Sequence, residues 1–213
     1  MLFSPFLAAI AAAQATASLG PACKAGDLAA VQKIVKAGGA DPAFDVNAGI
    51  FNPWGHPGGT WTALYVASAH GHAQIASYLV AEAGADPHKG CTKTGLTPLH
   101  TSCAHGSPHV VRALLAVGAD KNRKAGDGST PAMWALSGGV AESLRALTEG
   151  TAPLDVNAVA TGGKHAGATA LDIALDMVNQ GVVGTVPWLT QQEMVEILRG
   201  LGAKRSRDLK SEL

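Results

Sequence analysis

The chain has 213 residues, a length that suits one domain, and its sixteen Lys and Arg are balanced by sixteen Asp and Glu. A net charge of zero argues against a nucleic-acid or acidic-membrane partner, because phosphate binding needs concentrated positive charge. Aromatic residues make up only 5% while glycines number 26, which favours thin, closely packed elements over a core filled by rings.

One unit recurs along the chain. A Thr with helix-capping chemistry stands at Thr62, Thr97, Thr130 and Thr169, at intervals of 35, 33 and 39 residues. Ahead of these copies, Leu2 to Ala13 is largely apolar but too short for a bilayer-spanning helix of ~20 residues. Two readings of residues 1–18 stay open. Ser4-Pro5-Phe6-Leu7-Ala8-Ala9 suits a capping helix, with Ser as N-cap and Pro at the first helical position. The small residues Ala13-Gln14-Ala15 and Ala15-Thr16-Ala17 suit signal-peptide cleavage, although no Lys or Arg precedes Lys24. The cap is preferred, with a cytoplasmic location. The secretory alternative has one further point in its favour, the ending Lys210-Ser211-Glu212-Leu213, which is close to a Lys-Asp-Glu-Leu retention signal.

From Leu19 to Asp41, Leu28, Val31, Ile34 and Val35 fall at helical spacing and Gly38-Gly39-Ala40-Asp41 closes the unit. Pro21 lies inside the preceding helix and should shorten or kink it. The connection from Asp41 to Thr62 is long and gathers Phe44, Phe51, Trp54, His56 and Trp61 around Asn52-Pro53 and Pro57-Gly58-Gly59 turn signals. Exposed Trp side chains offer contact area of the kind found at binding hot spots. The alternative is that Phe51 and Trp54 fold back over the end of a helix pair. Trp61, directly before a capping Thr, is expected to be exposed.

The copy from Thr62 to Asp86 has Ala63 and Tyr65 where the clearest copy has Pro98 and His100. That clearest copy, Thr97 to Asp120, predicts a capped first helix stopped at Gly106 and a second helix whose inner face is Val110, Val111, Leu114 and Leu115. The copy opening at Thr130 has Ala132 for Leu and no Gly-Ala-Asp ending; its second helix is expected near 141–147. In the last copy the helix after Thr169 runs on towards Asn179. An insertion follows, then a second helix with Met194, Val195, Ile197 and Leu198 inward.

The Thr-Pro-Leu-His opening, the Ala-rich first helix, the stop Gly, the Val/Leu second helix and the Gly118-Ala119-Asp120 ending resemble the ankyrin repeat, whose period is about 33 residues. The resemblance implies an all-α solenoid of about five helix-turn-helix repeats over residues 19–204, joined by hairpins or extended loops, with a polar tail at 205–213. It also implies a concave face lined by hairpins and first helices. Lys24, His70, His105 and Asp176, each just before a stop position, are expected there. His100 takes the family's His position, whose ring is expected to bond across to the next repeat.

The function this implies is protein–protein interaction. The residues expected to contact a protein partner are Phe51, Trp54, Trp61, His70, Leu96 and His105. No cofactor, no metal, no nucleic acid and no membrane are expected, and the chain is expected to be a monomer. His70-x-His72 has the residue type for a metal, but the repeat gives its two rings different structural positions. With no nucleophile motif and no phosphate-binding Gly-Lys-Ser/Thr loop, the chain is not expected to be an enzyme. Two alternatives remain: a regulatory or composite-site enzyme subunit using the groove, and a substrate for asparaginyl hydroxylation at Asn47 or Asn157.

Overall fold

The computed structural model describes residues 14–15, 18–39, 44–49, 60–179 and 188–211, with 188–190 described by backbone alone. The described elements are helical and fall into five pairs. Residues 18–25 (α1) pair with Leu28–Gly38 (α2), Ala63–Ala69 (α3) with Ala73–Ala81 (α4), and Pro98–Ala104 (α5) with Pro108–Ala116 (α6). Pro131–Ser137 (α7) pairs with Ala141–Thr148 (α8), and Ala170–Asn179 (α9) with Trp188–Gly200 (α10). A short Ser206–Lys210 helix (α11) follows. Thus the segment expected as a polar tail starts with an ordered turn of helix, and α1 stays helical across Pro21.

The first helices α3, α5, α7 and α9 each start at a Thr because its hydroxyl and backbone can absorb the orphan bonds of the first turn. Thr62 Oγ1 accepts from the Tyr65 N–H at 3.2 Å and donates to the Lys89 carbonyl at 3.0 Å, which ties the helix start to the next hairpin. Gly106 ends the α5 turn at φ +72°, a left-handed conformation that L side chains rarely adopt. At Gly138 the reason is proximity, since an added Cβ would lie 2.2 Å from the Ala104 carbonyl oxygen. Neighbouring repeats pack closely here because no side chain intervenes.

First helices α3, α5, α7 and α9 pack in succession, and second helices α2, α4, α6, α8 and α10 form a parallel row behind them. Seven-residue helices such as α5 cannot stand alone, so burial against neighbours on both sides supplies the stability. Ile75, Leu79, Val111, Leu114, Val195 and Leu198 are all buried between the repeats, as the pattern predicts. Leu115 is only half-buried, while Arg112 stays at the surface and pairs with Glu149 at 2.9 Å.

The hairpin side is held by a ladder. Asn47 Oδ1 accepts from the Asp86 N–H at 2.7 Å and its Nδ2 donates to the Gly84 carbonyl at 3.3 Å. Asn122 repeats this towards Asp155 and Pro153, and Asn157 towards Lys204 and Gly202. Each Asn therefore occupies both ends of its amide in joining one repeat to the next.

Candidate protein-interaction face

The surface of interest is the side where first helices meet the hairpin tips. Backbone bonds join successive tips: Thr92 N–H to the Thr60 carbonyl at 3.2 Å, Gly126 N–H to Thr94 at 2.8 Å, and Thr161 N–H to Asp127 at 2.8 Å. These bonds give the tips a fixed spacing, so side chains on them stand in register with the first helices.

At the C-terminal ends of α3 and α5 sit His70 and His105, the first half-buried and the second exposed. His70 and His72 stack with ring centroids 6.3 Å apart, and the His72 Nε2 lies 3.2 Å from the Lys24 carbonyl. Burial lowers the His70 pKa, and the nearby Lys24, His72 and His105 lower it further. The ring is therefore neutral at pH 7. The His105 Nδ1–H donates to the Thr101 carbonyl at 2.9 Å. Among the described residues, no group of three His, Cys, Asp or Glu side chains is placed to hold a metal.

Trp61 departs from expectation. Its ring stacks on Tyr65 at 5.7 Å and 17° and packs against the core, leaving it half-buried rather than exposed. The position before the capping Thr is variable in sequence but partly covered in space, because the hairpin folds back over the first helix. Phe51 and Trp54 lie outside the described residues.

Leu96, half-buried, opens instead onto a feature that the sequence pattern did not single out. Trp134, on α7, is half-buried and stands between two clefts. One, of about 570 Å³, is lined by Lys93, Leu96, Asp127 and Gly162; the other, of about 300 Å³, by Asp127, Met133, Ser137, Lys164 and His165. The indole is fixed in place, its Nε1–H donating to Ser129 Oγ at 2.8 Å, which in turn donates to Asp127 Oδ1 at 2.5 Å. His165 Nε2 lies 3.1 Å from Ser137 Oγ. The register explains why Trp134 protrudes: the equivalent residues Val66, Thr101 and Ile173 are buried, and an indole is too large for that slot. The one signal in the sequence was that single ring among small residues.

Stacked helix pairs with hairpins on one edge define a repeat solenoid, a class in which each unit is stable only against its neighbours. The family described as ankyrin repeats (3 copies) matches residues 19–125, and the chain belongs to it. The chain is 40% identical over 76 residues to "Protein phosphatase 1 regulatory subunit 27" of Mus musculus, covering 36% of this chain and 47% of that protein. Its Homo sapiens counterpart is 38% identical over the same length. "Inactive serine/threonine-protein kinase TEX14" of Mus musculus is 35% identical over 78 residues, 37% of this chain and 5% of that protein. The matched segment spans about half the length of the phosphatase-subunit relatives.

Proposed function

We propose that this chain is a protein-interaction module whose first-helix face and hairpin tips hold a protein partner, with no catalytic role of its own. The observation that carries the reading is the run of side chains left accessible along that face, from His70 and His105 to Leu96 and Trp134, on a scaffold that fixes their spacing. Trp61 extends the same surface towards the N-terminal repeats, and Phe51 and Trp54, in the loop before it, are proposed as further contacts on the sequence alone. Because the mouse relative's name makes it a regulatory subunit of protein phosphatase 1, that phosphatase is the first partner to test.

An asparaginyl-hydroxylation role has less in its favour, since the Asn47 and Asn157 amides are engaged in inter-repeat bonds that an enzyme would have to break. For the interaction role, affinity capture with the native chain is compared with Trp61→Ala, Leu96→Ala and His105→Ala variants. A contact residue at the centre of an interface carries ≥ 2 kcal/mol, about a 30-fold change in affinity. Loss of the partner with an unchanged melting temperature supports the reading. If all three variants keep the partner, the face is not the interface.

A further inference from the structure

The ladder of hairpin amides lacks one rung. Every hairpin base repeats the same turn, in which an Asp carboxylate accepts from the N–H two residues on. Asp45 accepts from Asn47 at 2.8 Å, Asp86 from His88 at 2.8 Å, Asp120 from Asn122 at 2.9 Å and Asp155 from Asn157 at 3.1 Å. Position 88 is therefore equivalent to the three asparagines, but it holds an imidazole, whose two ring nitrogens do not reproduce the paired C=O and NH₂ of an amide. By the register of the other rungs, a side chain here would join the Gly118 carbonyl and the Asp120 N–H. Among the described residues, the His88 ring bonds to neither and the Asp120 N–H has no protein partner.

The second-helix side of the same joint has no polar tie either. Between the third and fourth pairs Arg112 reaches Glu149, and Lys121 Nζ donates to the Leu147 and Glu149 carbonyls; between the fourth and fifth, Arg145 pairs with Glu193. The first and second pairs have the Asn47 rung and the contact of His72 Nε2 with the Lys24 carbonyl, at 3.2 Å. Among the described residues, no hydrogen bond or ion pair joins residues 72–89 to residues 107–122, so the second and third pairs meet there through the packing of α4 on α6. Apolar packing is non-directional and tolerates small rotations that a hydrogen bond resists. The first-helix side is closed, because α3 packs on α5 and the Gly126 N–H donates to the Thr94 carbonyl at 2.8 Å between the two hairpin tips.

We infer that the stack hinges at this joint, the first two helix pairs turning against the last three about the first-helix side while the hairpin bases at His88 and Gly118–Asp120 part. A hinge needs one edge that holds and one that yields, and among the joints this one has that asymmetry. His70 and His105 lie on either side of it, so the motion changes the angle between the two parts of the first-helix face. The device does not depend on which partner that face holds.

The test measures distance distributions in the full chain by pulsed electron paramagnetic resonance. Spin labels are carried on a non-canonical residue, which spares the buried Cys23, Cys91 and Cys103. One pair of labels replaces the exposed Glu82 and Arg199 and spans the joint; a second replaces the exposed Ala116 and Arg199 and does not. The first pair should show a second, longer-distance population that the second pair lacks. His88→Asn supplies the missing rung, and two hydrogen bonds of ordinary net strength should lower that population about fivefold or more. The converse change, Asn122→His, removes a rung between the third and fourth pairs and should make the second pair of labels heterogeneous. A single narrow distribution for the first pair in the native chain overturns the inference. So does a longer-distance population that His88→Asn leaves unchanged, or an Asn122→His variant whose second pair stays narrow.

Discussion

Three residues after each capping Thr the copies differ: Tyr65, His100, Met133 and Asp172. In the clearest copy the Thr97 N–H donates to His100 Nδ1 at 3.1 Å, so that nitrogen carries no proton and the Nε2–H donates to the Ser129 carbonyl at 3.2 Å. Burial lowers the His100 pKa from 6.5 to about 4. A second proton would also have to displace the Thr97 bond. Between these values the unfolded chain binds the proton and the native chain does not, so stability is intact above pH 6.5 and falls as pH drops towards 4. The loss amounts to roughly 3 kcal/mol. Melting temperatures across this range should show the fall, and His100→Met should flatten it while costing about 1–3 kcal/mol at neutral pH through the orphaned Thr97 N–H. A His100→Met profile as steep as the native one would place the titration elsewhere. This role was readable from the sequence, because the His stands in a pattern whose partner is one repeat away. That of Trp61 was not, since its coverage depends on how the hairpin folds over Tyr65.

Among the elements, the second helices were legible wherever their apolar residues recur at helical spacing. In α6, Leu114 is fully buried and Leu115 half-buried. Leu114→Ala should therefore cost ~2–5 kcal/mol and Leu115→Ala distinctly less, measured by chemical denaturation. Equal costs would mean that α6 is rotated from the position described. The end of α8 falls at Thr148, within a residue of the expected Leu147, but what closes it was not legible, for the fourth copy has no Gly-Ala-Asp ending. Its replacement is a long-range one. Lys121, from the hairpin before α7, is buried and its Nζ donates to the Leu147 and Glu149 carbonyls at 2.9 and 3.0 Å. An ammonium at a helix C-terminus satisfies orphan carbonyls and suits the dipole. Burial lowers its pKa, but these carbonyls give the charge its partners. Lys121→Met keeps the aliphatic stem and removes the donors, so a loss of about 1.5–3 kcal/mol is expected from denaturation midpoints. A neutral substitution would show that water replaces the cap. No local motif announces a donor that arrives from 26 residues away.

For the whole molecule, the five-pair stack follows from the repeating Thr openings, whereas the way its last repeat is closed does not. In the last repeat the His position holds Asp172, and in place of another repeat's hairpin it meets residues 204–206. Its carboxylate accepts from the Ser206 N–H at 2.8 Å, the Arg205 Nε–H at 3.0 Å and the Thr169 N–H at 3.1 Å. Burial would raise the Asp172 pKa, but these donors outweigh it and hold the carboxyl below the usual range. The folded pKa is depressed, so this contribution is present above pH 3.8 and is lost as the pH falls below it. Asp172 thus turns the position that joins repeats into one that seats the α11 segment over the end of the stack. In a solenoid each repeat is stabilised by its neighbours, so loosening the last one should spread only weakly through the rest. Asp172→Asn removes the charge that three donors share. Hydrogen exchange should then quicken in α9, α10 and residues 204–211, while amides of α3 to α6 keep native protection. Uniform loss of protection along the chain would mean that the repeats unfold as one unit and that Asp172 supports the whole stack; unchanged exchange near α11 would mean that the carboxylate does not hold the end.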